Sequence, residues 1–210
     1  MAVRDALLVL LIDGPAYGFQ LHGGLAARTG GRREINVGQT YSTLDRLGAQ
    51  GLVQSAGATD DGLPLHRLTT AGRAAAAAWL DGADAAGADP WHETIDRVLL
   101  ALSMPAIDAA PILDGELHRW TTRRDAAREV ADGGGASDSV ASEPAGLAGA
   151  AGLADLAAEA DVARASAAIA WLGQVSRADA ASLAFAPSAE RPRRGRRPAR
   201  AVREVQVAAP

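Results

Sequence analysis

The stretch Val37-Gly38-Gln39-Thr40-Tyr41-Ser42-Thr43-Leu44-Asp45-Arg46-Leu47-Gly48-Ala49-Gln50 decides the reading of this chain. It reads as one helix, and Gly51 follows where a helix C-terminus favours a left-handed residue. At about 100° per residue, Val37, Tyr41, Leu44, Leu47 and Gly48 gather on one side, which predicts a core stripe. Gln39, Ser42, Thr43 and Arg46 gather opposite, with Asp45 at the boundary. That second face carries short hydrogen-bonding side chains and one guanidinium. Such a set suits a major groove, where Gln matches adenine edges, Arg matches guanine, and Ser or Thr matches either.

Upstream, residues 3–12 are apolar and stop at Asp13-Gly14-Pro15. A second helix is expected after Tyr17-Gly18, with Phe19, Leu21, Leu25 and Ala26 on its apolar side, ending near Thr29-Gly30-Gly31. Arg32–Asn36 connects it to the third helix. Downstream, Leu52–Ser55 and Leu63–Leu68 read as strands around the turn Thr59-Asp60-Asp61-Gly62. Thr70 is then expected to cap a helix through Ala71–Leu80, closed by Asp81-Gly82. Three helices and a hairpin in about 80 residues is the plan of a winged helix-turn-helix.

The remainder reads as helical. After a hinge at Asp81–Asp89, a helix from Pro90 aligns Trp91, Ile95, Val98 and Leu102, and Ser103-Met104-Pro105 breaks it. Asp108 can cap the next helix, which runs to about Val130. Residues 131–152, rich in Gly, Ala and Ser, are expected to form a mobile linker. A last helix over Leu153–Ala184 spaces Val162, Ala165, Ile169 and Leu172 like heptads. The expected fold is mainly α: a winged helix-turn-helix domain at 1–82, an α-helical dimerisation domain at 88–184, and a disordered Arg/Pro-rich tail at 185–210.

Composition narrows the classes. The chain has 210 residues, no cysteine and 50 alanines, so there is no disulfide or thiolate chemistry. The longest apolar runs, Ala6–Ile12 and Ala74–Leu80, fall far short of the roughly 20 residues of a membrane span. No secretory cleavage pattern follows the first apolar stretch, so a cytoplasmic protein is expected. The net charge of −4 is an average over unlike parts: +1 in residues 1–80, −10 in 81–186 and +5 in 187–210. All 21 basic residues are arginine. An acidic total therefore does not argue against a nucleic-acid partner.

The segments Leu8–Leu11, Gly14-Pro15-Ala16-Tyr17-Gly18, Gly38–Leu47, Gly51-Leu52-Val53, Arg67–Arg73 and Trp79-Leu80 together resemble the PadR-type transcriptional regulators, named for a phenolic-acid decarboxylase repressor. The order and spacing hold over about 75 residues. The second half is similar to the longer C-terminal dimerisation domain of that family. The resemblance implies a homodimeric repressor, released from double-stranded operator DNA by a small aromatic or amphipathic ligand. One departure stands out. Family wings usually carry two or three basic residues, whereas here the wing reads Asp60-Asp61-Gly62-Leu63-Pro64-Leu65 and leaves only His66 and Arg67. Carboxylates at that place oppose phosphate.

In this reading Gln39, Ser42, Thr43 and Arg46 read bases, in half-sites about 10 bp apart or multiples of that. Asn36, Thr40 and Tyr41 position the helix, and Arg4, Arg32 and Arg33 approach phosphate. The tail segment Arg191–Pro198, with Arg193, Arg194, Arg196 and Arg197, is similar to an AT-hook, although a second Arg precedes Pro198. A solubilising or non-specific tail is the simpler account. Trp91, Ile95, Trp120 and Trp171 are the candidates for an effector site, or else plain core packing. No H-E-x-x-H, G-x-S-x-G or Walker-type loop is present, so neither an enzyme nor a cofactor is expected. Asp89, His92, Glu93 and Asp96 could place metal ligands on one helical side, but a solvated acidic face is the simpler account. The competing function is a degenerate winged-helix module that binds protein rather than DNA.

Overall fold

A computed structural model describes residues 3–134 and 145–189. Helix α1 (Val3–Leu10) sits at the centre of the core, with Val3 and Asp5 to Leu10 all buried. That explains its unbroken apolar run: from Asp5 onward no residue of it faces water, and only Arg4 at its start is exposed. A 3₁₀ turn at Leu11–Asp13 ends at Gly14. Next come strand β1 (Ala16–Tyr17), helix α2 (Gly18–Arg28) and helix α3 (Val37–Ala49). Asn36 caps α3 by accepting from the Gln39 N–H at 2.7 Å. Gly51 closes it at φ 70°, a conformation that disfavours any residue bearing a Cβ.

Strands β2 (Val53–Ala58) and β3 (Pro64–Leu68) form the wing, with Val53 opposite Leu68 and Ser55 opposite His66. The register shifts between Ser55 and Ala58. The sequence reading missed β1, which pairs antiparallel to β3 and makes the sheet order β1-β3-β2. Two residues are too short to show a period of two. Helix α4 (Thr70–Leu80) is capped by Thr69, not by Thr70 as expected. The Thr69 hydroxyl accepts from Gly72 N–H at 3.0 Å and donates to Gly51 O at 2.7 Å, joining the helix start to the wing base.

Helices α5 (Pro90–Ser103), α6 (Ala109–Gly134), α7 (Ala145–Val175) and α8 (Ala180–Leu183) complete the described chain. The expected linker at 131–152 is helical at both ends, through Gly134 and from Ala145. Alanine's helix propensity prevails over the glycines there. The last helix is broken at Val175, and α8 stands apart. Residues 185–188, expected to be disordered, lie against α2, with Phe185 N–H donating to Ser103 O at 3.1 Å.

The expected hinge does not separate two cores. One hydrophobic cluster joins Leu7, Leu44 and Trp79 to Val98, Trp120 and Leu172. Helix α5 carries the junction, and its polar residues are buried as well: Glu93, Thr94, Asp96 and Arg97 are each at most 1% exposed. They are matched by polar partners. Glu93 accepts from the Trp79 indole N–H at 2.6 Å, and Arg97 donates to Trp79 O at 2.5 Å. Arg97 also pairs with Asp84 and with Glu116 of α6. Burial pushes the Glu116 carboxyl up, but the Arg119 hydrogen bond and the Arg97 charge outweigh it and hold it below the usual range.

Candidate nucleic-acid interface

Helix α3 is rotated from the face expected for it. Its buried residues are Thr40, Thr43, Leu44 and Leu47, while Val37 and Tyr41 are each 39% exposed. The core stripe thus takes two threonines and releases two large side chains. The hydroxyls explain how. Thr43 donates to Gln39 O at 2.8 Å and accepts from Arg46 Nη2 at 3.1 Å, so burial leaves it satisfied. Thr40 lies 3.5 Å from His22 Nδ1. Counting apolar residues could not show that a Thr with a helix carbonyl in reach is a good core residue.

Thr43 and Thr40 therefore do not face a groove. Gln39, Ser42 and Arg46 remain at the surface, joined by Val37, Gly38, Tyr41 and Asp45. Ser42 donates to Gln39 O at 3.1 Å, and Arg46 folds back to donate to Ser42 O at 3.1 Å. Tyr41 packs over the start of α2: a Cβ on Gly18 would lie 2.6 Å from its ring. Glycine there lets α2 and α3 approach, which gives the Tyr17-Gly18 pair its structural meaning. Beside this face Gln39, Arg46, Gln50 and Arg4 border a hollow of about 270 Å³. Gln50 was not foreseen; Arg4 Nε donates to it at 3.4 Å.

The remaining candidates divide. Arg32 is exposed and has no side-chain partner among the described residues. Arg67 is exposed on β3, and with the Gln54 amide oxygen turned toward it Nε and Nη2 donate at 3.0 and 3.1 Å. Arg33 is corrected: its Nε donates to Asp96 Oδ2 at 2.6 Å, tying the connector before α3 to helix α5. His66 is corrected too. It is half-buried between the wing and α3, its Nε2 has no hydrogen-bond partner among the described residues, and burial lowers its pKa against a smaller opposing effect of Asp45. An inward imidazole whose charged form burial disfavours is a poor phosphate contact. Asp60 and Asp61 are exposed at the wing turn, where Thr59 donates to Asp61 at 2.6 Å.

The tryptophans, distant in sequence, come together. Trp91 meets Trp120 edge-on at 5.8 Å and Trp171 edge-on at 5.2 Å. Trp120 and Ile95 are buried, and the Trp120 N–H donates to Thr94 at 2.9 Å, so those two are core rather than free ligand surface. Trp91 and Trp171 keep partly exposed edges. A groove of about 400 Å³ between α6 and α7 is bordered by Arg123 and Arg164, with the buried Trp120 at its base.

The metal alternative loses its ligands to structural roles. Asp89 caps α5 and pairs with Arg164, Glu93 holds Trp79, and Asp96 holds Arg33. Among the described residues no group of three or more metal-type side chains converges. None of the described helices is long and apolar enough to cross a membrane. The basic tail residues Arg193, Arg194, Arg196 and Arg197 lie outside the described residues.

Residues 7–78 match the model of the transcriptional regulator PadR-like family. No curated protein matches. Among solved structures, a transcriptional regulator from Clostridium thermocellum, Cth-833, is similar at 25% identity, over 37% of this chain and 75% of that one, with a TM-score of 0.35. Bacillus subtilis PadR in complex with operator DNA is 16% identical over 87% of this chain and 99% of that one, TM-score 0.37. The same protein in complex with p-coumaric acid is 16% identical over 84% and 97%, TM-score 0.32. Those overlays are too loose to carry an argument about residues, and the assignment rests on the family match over the winged helix-turn-helix. Over residues 7–78, about a third of its length, this chain is similar to the transcriptional regulator PadR-like family.

Proposed function

We propose that this protein is a homodimeric, ligand-responsive repressor that acts in the cytoplasm and sets two copies of α3 into successive major grooves of a pseudo-palindromic operator. The observation that carries the reading is the exposed side of α3, where Gln39, Ser42 and Arg46 stand beside the cap Asn36. Arg4, Arg32 and Arg67 flank it as phosphate contacts. Dimerisation through the C-terminal helices is supported by Val130, Leu153 and Leu156, which are 58–69% exposed on α6 and α7. An aromatic or amphipathic effector would act at the partly exposed edges of Trp91 and Trp171 and the neighbouring groove. The Arg-rich tail would supply minor-groove or phosphate contacts that the acidic wing lacks.

The test is a gel shift with DNA from upstream of the protein's own gene. Gln39→Ala and Arg46→Ala should each weaken specific binding by about 1–3 kcal/mol and leave non-specific binding nearly unchanged. If both variants retain full operator affinity, α3 does not read the site. If the intact chain retains no DNA and instead forms a stable complex with another regulator, the protein-binding module is the correct function.

A further inference from the structure

A further cavity lies along α2, and neither the exposed residues of α3 nor the tryptophans line it. It encloses about 140 Å³ between Leu10, Leu21, Gly24, Asp13, Arg28 and the segment Phe185–Ser188. That segment is clipped at both ends. Arg28 Nη2 donates to Phe185 O at 2.8 Å, and Gln20 Nε2 donates to Ser188 O at 2.9 Å. Ala186 and Pro187 bridge the span between the clips and roof the hollow.

The floor is made by Gly23 and Gly24, in the interior of α2. Glycine there costs the helix about 1 kcal/mol each relative to alanine. Nothing in the packing asks for it: neither residue has a positive φ. A Cβ on Gly23 would meet no atom within 4 Å, and one on Gly24 would meet only the Leu10 methyls at 4.0 Å. The pair has one evident consequence, which is to keep the space open.

The polar side of the cavity is lopsided. Arg28 is 4% exposed: it donates to Ser103 O and to Phe185 O, and its guanidinium lies 4.4 Å from the Phe185 ring centroid. The buried Oδ2 of Asp13 accepts no hydrogen bond among the described residues, and Arg28 Nη2 stands off at 3.5 Å. A buried carboxylate oxygen without a donor is costly, so the site lacks a donor rather than an acceptor.

We propose that this cavity is a binding site for a small organic ammonium with an apolar body the size of one ring, its N–H groups completing Asp13 and its ring lying on Gly23 and Gly24 beneath Ala186 and Pro187. The volume suits that size, since an apolar cavity of about 150 Å³ accommodates benzene. A carboxylate ligand is disfavoured by Asp13, and a larger drug by the clipped roof. The site stands independently of the DNA-reading assignment.

Calorimetric titration of the full chain, without DNA, with benzylamine, benzyl alcohol and benzoate tests it. Benzylamine should bind once per chain with a Kd on the order of 0.1–1 mM, within the efficiency ceiling for so small a molecule. Benzyl alcohol should bind at least tenfold more weakly, and benzoate should give no heat. Asp13→Asn, which keeps the shape, should weaken benzylamine at least tenfold. Gly24→Ala should abolish binding while raising the thermal midpoint, so the loss would not reflect unfolding. Equal affinity for benzoate, unchanged binding in Asp13→Asn or Gly24→Ala, no benzylamine heat at 10-fold above that Kd range, or loss of binding in Trp171→Ala would each overturn the proposal.

Discussion

Replacing Arg33 with alanine separates two roles that the sequence alone could not. As a phosphate contact, Arg33 would matter only with DNA present. In the structure its Nε donates to Asp96 Oδ2 at 2.6 Å, and its Nη2 reaches the same oxygen. The Asp96 side chain is 0% exposed and that of Arg33 is 19% exposed. The other oxygen, Oδ1, already has no hydrogen-bond partner among the described residues. Arg33→Ala therefore leaves a buried carboxylate with neither oxygen paired. Breaking a buried pair in this way costs about 3–5 kcal/mol, and the open arginine end, which admits water, points to about 3. At 2–4 °C per kcal/mol for a chain of this size, the thermal midpoint should fall by about 6–12 °C. Circular dichroism on heating reads this directly. Adding Asp96→Asn to Arg33→Ala should recover part of the loss, because the stranded charge is gone. Operator binding supplies the second measurement. A lost phosphate contact lowers the salt slope of log K by about 0.9. For Arg33→Ala that slope should not change. An unshifted midpoint together with a slope reduced by about one would refute the reasoning and return Arg33 to the DNA surface.

Other consequences are open to measurement. Thr43→Val should leave operator preference intact, because Thr43 is buried and bonded to its own helix, whereas Arg46→Ala should relax it; a selection of binding sites from random DNA compares them. Gly72→Ala should destabilise by about 3 kcal/mol, since its Cβ would lie 1.9 Å from the backbone oxygen of Leu52 and no side chain can yield; urea unfolding measures the cost. His66 has a lowered pKa in the folded chain, so its contribution to stability is present above the ordinary value of about 6.5 and is lost as pH falls through the folded value. His66→Gln should flatten that part of the stability–pH curve. Glu116, held below the usual carboxylate range, contributes stability above the ordinary value near 4.5 and loses it as pH falls through its folded value, so Glu116→Gln should weaken the fold at neutral pH more than in acid.

Local chemistry carried much of the fold. The stop at Gly14, the Gly51 exit of α3 and the hairpin at residues 53–68 depend on neighbours a few residues apart, so a linear reading reaches them. The order of those signals also sufficed to identify the winged helix-turn-helix. Gln39, Ser42 and Arg46 were legible as a polar face because a helix repeats every 3.6 residues.

What the sequence left open depends on pairings between distant segments. Whether Thr43 or Tyr41 turns inward follows from the Arg46 and Gln39 groups that satisfy a hydroxyl, and from Gly18, which gives the tyrosine ring a place outside. The acidic side of α5 reads as a solvated face, yet Arg33, Trp79 and residues of α6 meet it, and burial of charge is tolerable only where such partners arrive. Composition cannot report that. Sequence alone thus determined the winged helix-turn-helix plan and the helix in it that carries a polar face. Tertiary contacts decided which side of that helix is free, which arginines are struts, and where cavities remain, because each depends on groups brought together only by folding.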